Sequence, residues 1–164
     1  MLIINSGQQY NPVIQKQSVF LAGPTYRNNE GRSWRKDAID LFTKIGFDGV
    51  LYIPEPFVGD YKKQIDWEND SLNKATCIMF WIPRDLKILP GFTTNIEFGE
   101  WMKSGKVVLG YPKNAPKMDY LHYKAEKYGV PISYSLSDTI NNVMKILNKQ
   151  LDSEALIKNI VEEK

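Results

Sequence analysis

Hydrophobic residues in this chain fall into short unbroken runs, separated by longer segments where they recur every three or four positions. Four runs stand out: SVFLAG (18–23), GVLYIP (49–54), TCIMFWIP (76–83) and KVVLGYP (106–112). They are rich in β-branched and aromatic residues and do not alternate with polar ones, the pattern of parallel strands covered on both faces. A proline follows or closes each run: Pro24, Pro54, Pro83 and Pro112. Proline has no N–H to give to a ladder, so each marks the carboxyl end of a strand and the start of a loop. VPISYS (130–135) reads as a fifth strand. The first 16 residues are ambiguous, with LII available as an added edge strand.

Helical spacing fills the gaps. Over 32–45, Trp34, Ala38, Leu41, Phe42 and Ile45 share one face, and Gly46 is placed to stop the helix. Over 62–75, Ile65, Leu72 and Ala75 form a stripe that Asn69 interrupts, with Asp66 and Asp70 four apart on the other side. Over 94–104, Ile96, Phe98, Trp101 and Met102 give a broad apolar face, ended by Gly105. A further helix over about 137–150 turns Ile140, Val143, Met144 and Leu147 inward, and the charged 152–164 either extends it or frays. Strand and helix alternate, which predicts an α/β fold with a parallel sheet and right-handed crossovers. Such sheets bind ligands beyond the carboxyl ends of their strands. That selects AGPTYRNNEGR, PEPF, IPRDLKILPGFTTNIE and GYPKNAPKMDY as the functional segments.

Composition narrows the class. The 164 residues suit one domain, 1–164, and 43% apolar content is ordinary for a globular protein. A net charge of +2 gives no reason to expect nucleic acid or an anionic membrane as partner. The opening MLIINSGQQY lacks the basic and long apolar parts of a signal peptide, so a cytoplasmic location is expected. The single cysteine, Cys77, sits in an apolar run and reads as a buried reduced thiol; with a single histidine, His122, it makes a His/Cys metal site a poor expectation.

The candidate chemistry is carboxylate chemistry. Glu97 follows Thr94 by three residues, which fits a capping box in which the glutamate bonds back to the Thr94 amide. The same first-turn position sets the acid at the positive end of a helix dipole, which favours the ionised form that a nucleophile needs. Asp66 and Asp70, beside Lys62, Lys63 and Lys74, fit a solvated helix face equally well. FLAGP, with Gly23 and Pro24, is either a tight turn after a strand or a loop that lets backbone approach a sugar or phosphate. Tyr26, Trp67, Phe92 and Trp101 can stack on a base, with core packing the simpler role.

In order along the chain, VFLAGP, PEPF, QIDWENDSLNKATCIMFWIP and TTNIEFGEWMKSGKVVLGYP resemble the nucleoside 2-deoxyribosyltransferase family and its relatives that hydrolyse nucleotide N-glycosidic bonds. The similarity spans roughly 18–130 and is most specific in NIEFGEWMKSGKVV. It implies a flavodoxin-like, Rossmann-like three-layer sandwich of about five parallel strands in the order 2-1-3-4-5. It implies Glu97 as nucleophile and Asp70 as an acid near the base or sugar. Gly23, Pro24, Tyr26, Asp66, Trp67, Phe92, Thr94 and Asn95 become the expected substrate contacts. Two positions depart from the family pattern: Val19 stands where a first-strand tyrosine is expected, and LPGFTTN carries no acid ahead of Glu97.

Cleaving a sugar–base bond passes through a cation-like state at C1′, for which two carboxyls are the usual apparatus. The resemblance therefore implies a glycosyl-Glu97 intermediate, resolved by a second base or by water, with no metal or organic cofactor. Arg27, Arg32 and Arg35 are candidates for a 5′-phosphate, or else plain surface. A non-catalytic nucleotide-binding or sensing domain, or a structural subunit, would share the fold. Assembly into a homo-oligomer is implied too, with 116–129 as the contact segment.

Overall fold

The computed structural model describes residues 1–9, 17–26, 31–56 and 59–162. Its six strands are β1 (Leu2–Asn5), β2 (Ser18–Ala22), β3 (Val50–Ile53), β4 (Cys77–Trp81), β5 (Val107–Gly110) and β6 (Ile132–Ser133). Five helices run between and after them: α1 (Trp34–Lys44), α2 (Tyr61–Lys74), α3 (Phe92–Trp101), α4 (Asp119–Lys127) and α5 (Leu136–Glu162). The strands form one parallel sheet in the order β1-β3-β2-β4-β5-β6. The expected five-strand order is present as β3-β2-β4-β5-β6, and LII adds β1 outside β3 at the edge.

Because side chains alternate along a strand, each central strand feeds two cores. Val19 and Leu21 of β2, with Leu51, Met79 and Val108, pack under Trp34, Ala38 and Phe42 of α1 and Ile140, Val143 and Leu147 of α5. Phe20 and Ala22, with Tyr52, Ile78, Phe80 and Leu109, face Leu72 of α2, Phe98 of α3 and Met102 just after it, and Leu121 and Ala125 of α4. All five residues of β2 and of β4 are buried, as their uninterrupted apolar runs predict. Cys77 is a fully buried free thiol, and burial pushes it up to about 12.

Three features depart from the expected elements. Helix α3 begins at Phe92, two residues before the expected start, because Gly91 adopts the left-handed conformation (φ 66°, ψ 44°) and serves as its N-cap without a side-chain bond. Ile96, expected to face inward, is 71% exposed; in α3 only Thr94 and Phe98 are buried. Helix α4 was not expected, since its mixture of tyrosines and charges hides a stripe made only of Leu121 and Ala125. Helix α5 continues through the charged tail to Glu162, the first of the two outcomes the sequence allows.

Candidate active site

The segments that follow β2, β3 and β4 border a cleft of ≈ 390 Å³ between α2 and α3. Its floor and near wall come from Phe20, Ala22, Gly23, Pro24 and Thr25; α2 supplies Tyr61, Gln64, Ile65, Glu68 and Asn69; α3 supplies Phe92, Thr94, Ile96, Glu97 and Glu100. Gly23 sits at φ 148°, and a Cβ there would lie 2.2 Å from the Trp81 carbonyl oxygen and 2.8 Å from the Trp34 ring. Packing against β4 therefore requires the glycine, whether or not a ligand also approaches it.

Glu97 is the sixth residue of α3, one turn beyond the expected capping position. With Gly91 as cap, no Thr94–Glu97 capping box forms, and the helix dipole does not set the charge of this carboxyl. Partial burial does: desolvation first, then the neighbouring Glu68, raise Glu97 to about 7, against a smaller opposing pull from Arg35. Glu68 is raised as well, by burial, although the Gln64 amide nitrogen donates to its Oε1 at 2.6 Å and Arg35 lies near. Gln64 is itself held, accepting from Ser6 Oγ and reaching toward the Pro54 carbonyl. Two carboxyls therefore share one cleft, and burial makes each hold its proton more tightly than an isolated carboxyl does.

Behind the near wall lies Arg35, 1% exposed and paired with Glu55 at 2.5 Å. Glu68 and Glu55 were not among the expected residues, and Arg35 was considered only for a 5′-phosphate. Glu68 had a readable signal: it lies three residues after Ile65 and four before Leu72, on the inward stripe of α2. The burial of Arg35 had none, since nothing local tells a buried guanidinium from a surface one.

The family described as nucleoside 2-deoxyribosyltransferase like matches residues 16–115, which contain every strand and helix that lines the cleft. The chain belongs to that family. Among curated proteins no match was found.

Of the residues expected at the site, this family member brings together Gly23, Pro24, Phe92, Thr94 and Glu97. The others are elsewhere. Asp70 and Asp66 point to the flank of α2 that faces β1, where with Trp67 they line a separate hollow beside Ile4 and Tyr52. Asp70 is exposed and pairs with Lys74 at 2.5 Å, the solvated-face alternative. Trp67 donates to the Gln8 carbonyl at 2.9 Å and packs its ring near Phe20 and Tyr52, so it supports the core rather than flanking a base in the cleft. Asn95 faces away and accepts from Arg84. Tyr26 borders a neighbouring cavity with Arg32 and Lys36. Trp101 packs against the core below Lys106.

The arginines considered for a phosphate are largely committed. Arg32 pairs with Asp37 at 2.6 Å, Arg35 is buried against Glu55, and Arg27 lies outside the described residues. Val19 faces the α1/α5 core, away from Glu97; the β2 residues that reach the cleft are Phe20 and Ala22. No helix among the described residues is long and apolar enough to cross a membrane.

Proposed function

We propose that this protein cleaves the N-glycosidic bond of a deoxynucleoside and transfers the sugar to a second base. Glu97 attacks C1′ as the departing base leaves, forming a glycosyl ester; the incoming base then displaces Glu97, with net retention. Glu68 takes the place expected for Asp70: it hands a proton to the leaving base and recovers one from the incoming base. Phe92, 65% exposed at the mouth, is available to stack on the base. The whole chain acts as one domain in this reading.

The observation that carries the reading is the pairing of Glu97 with Glu68 in an open cleft, with the cap role of Glu97 removed by Gly91. A nucleoside is favoured over a 5′-monophosphate because Arg32 and Arg35 already have carboxylate partners. Exposed Tyr120 and Tyr123 on α4 support the expected contact through 116–129, which sedimentation would test.

Chromatography of deoxynucleosides incubated with the protein, with and without a free acceptor base, tests the reaction. Exchange only with acceptor supports transfer; base release without it supports hydrolysis; no turnover favours a binding or sensing role. Glu97→Gln is expected to lower kcat/KM by about 10³-fold or more while staying folded. In the wild type, kcat/KM should rise with pH toward about 7 as Glu97 ionises and fall at higher pH as Glu68 loses the proton it hands to the base. A Glu97→Gln protein as active as wild type would refute the assignment.

A further inference from the structure

One buried side chain beside the cleft takes no part in the steps above. Arg35 is carried by α1, on the far face of the sheet, yet its guanidinium passes beyond the end of β2 to the back of the cleft. There Nε donates to the Leu21 carbonyl at 2.9 Å and Nη2 to the Gly23 carbonyl at 2.7 Å. Nη1 donates to Thr25 Oγ1 at 3.0 Å and to Glu55 Oε1 at 2.5 Å. The Trp34 ring covers its carbon at 4.6 Å. A planar fork so engaged is pre-organised, which a lysine cannot reproduce. The bonds fasten successive points along one stretch, Leu21 to Thr25, which forms the near wall of the cleft. Arg35 is also the only cation lining that cleft among the described residues.

We propose that Arg35 is a positioning residue for the sugar-transfer chemistry: it pins the Gly23–Thr25 wall and supplies the positive charge facing the two carboxyls, and Glu55 sets how much of that charge reaches them. The inference rests on the reading of Glu97 as nucleophile. The charged groups bearing on Glu97 are Glu68 from α2, Arg35 from α1 and Glu100 from its own helix, with Tyr61 also lining the cleft. Glu55, after β3, acts through Arg35.

Two substitutions then have effects of opposite sign. Arg35→Met removes a cation, so Glu97 should hold its proton to higher pH. Glu55→Gln leaves the cation unneutralised, so Glu97 should lose its proton at lower pH. A purely structural role would not displace the two in opposite directions. Carbon NMR titration of the Glu97 carboxyl in the full chain reads this without any assumption about turnover, and shifts of about half a pH unit or more are expected. Arg35→Lys keeps charge but not fork; it should leave the titration nearly in place and lower kcat/KM by about tenfold or more.

Opposite displacements together with the Arg35→Lys loss would support the inference. Unmoved or same-direction titrations in folded variants, or an Arg35→Lys protein as active as wild type, would overturn it. Should Arg35→Met fail to fold, Glu55→Gln decides alone: a downward shift supports, any other result overturns. Full activity in Glu97→Gln would defeat the nucleophile reading itself. An inactive Glu97→Gln beside unmoved titrations would defeat only this inference.

Discussion

The two faces of the sheet are covered in different ways. On one, α1 and α5 lie over the strands with Ala38, Phe42, Val143 and Leu147 at or near zero exposure. On the other, α2 buries only Gln64, Ser71 and Leu72 of its 14 residues, and α3 only Thr94 and Phe98 of its 10. The gap between those two helices is the cleft, and its rim leaves Tyr61, Ile65, Phe92 and Ile96 in contact with solvent. One layer spends its apolar residues on stability; the other holds carboxyls in a half-dry gap that a tighter fit would close. The same sheet supports both because alternate residues of β2 point to opposite sides.

The sharpest way to break this contrast is to truncate one aromatic on each face. Phe42→Ala should cost about 3–5 kcal/mol of stability by leaving a cavity under α1. Phe92→Ala should change stability by only about 0.5 kcal/mol or less, while raising KM for nucleosides. Denaturant melts and steady-state kinetics of both proteins check the pair; equal destabilisation would mean that the open layer is closed in solution.

Next in size is Glu68→Gln. It should lower kcat/KM by about 10²–10⁴-fold, with the loss smaller for substrates whose leaving base needs no proton. A uniform loss across leaving groups would count against the proton-donor role.

A subtler test uses Glu97 as a reporter of burial. Its fold-state value of about 7 lies above its ordinary 4.5, so the folded protein binds this proton more tightly than the unfolded chain does. Its favourable contribution is therefore present below about 4.5 and is lost as pH rises toward about 7, beyond which the buried charge opposes folding. Glu97→Gln should consequently be more stable than wild type at about pH 8, by about 1–2 kcal/mol once partial exposure is allowed for, and the gap should shrink toward about pH 5. Melting curves at the two pH values decide it.

The smallest expected effect is at Asp70. Its pair with Lys74 is exposed, so Asp70→Asn should move stability by about 0.5 kcal/mol or less and leave kcat/KM unchanged. A large loss of activity would place this residue back in the site.

Much of the fold was legible from local pattern. The apolar runs and their prolines located the four central strands, because a strand buried on both faces must be apolar at every position. Motif similarity pointed to Glu97 and to the Gly23–Pro24 turn, both of which line the cleft. Helix α4 was hidden because two buried residues in nine are too few to make a period visible. Asp70 lies outside the cleft for a related reason. Residues 68 and 70 of a helix point about 200° apart, so two acids nearly adjacent in sequence face different hollows.

By itself, then, the sequence determined the alternating architecture, the family, and one carboxylate at the carboxyl edge of the sheet, since each is written in contiguous residues. Only the tertiary structure decided which second acid meets Glu97, that Gly91 and not Glu97 caps α3, and that Arg35 crosses from the opposite layer to pair with Glu55. Those outcomes depend on which faces of α1, α2 and α3 converge beyond the strands. Convergence of that kind brings together residues distant in the chain, whose local surroundings carry no mark of the meeting.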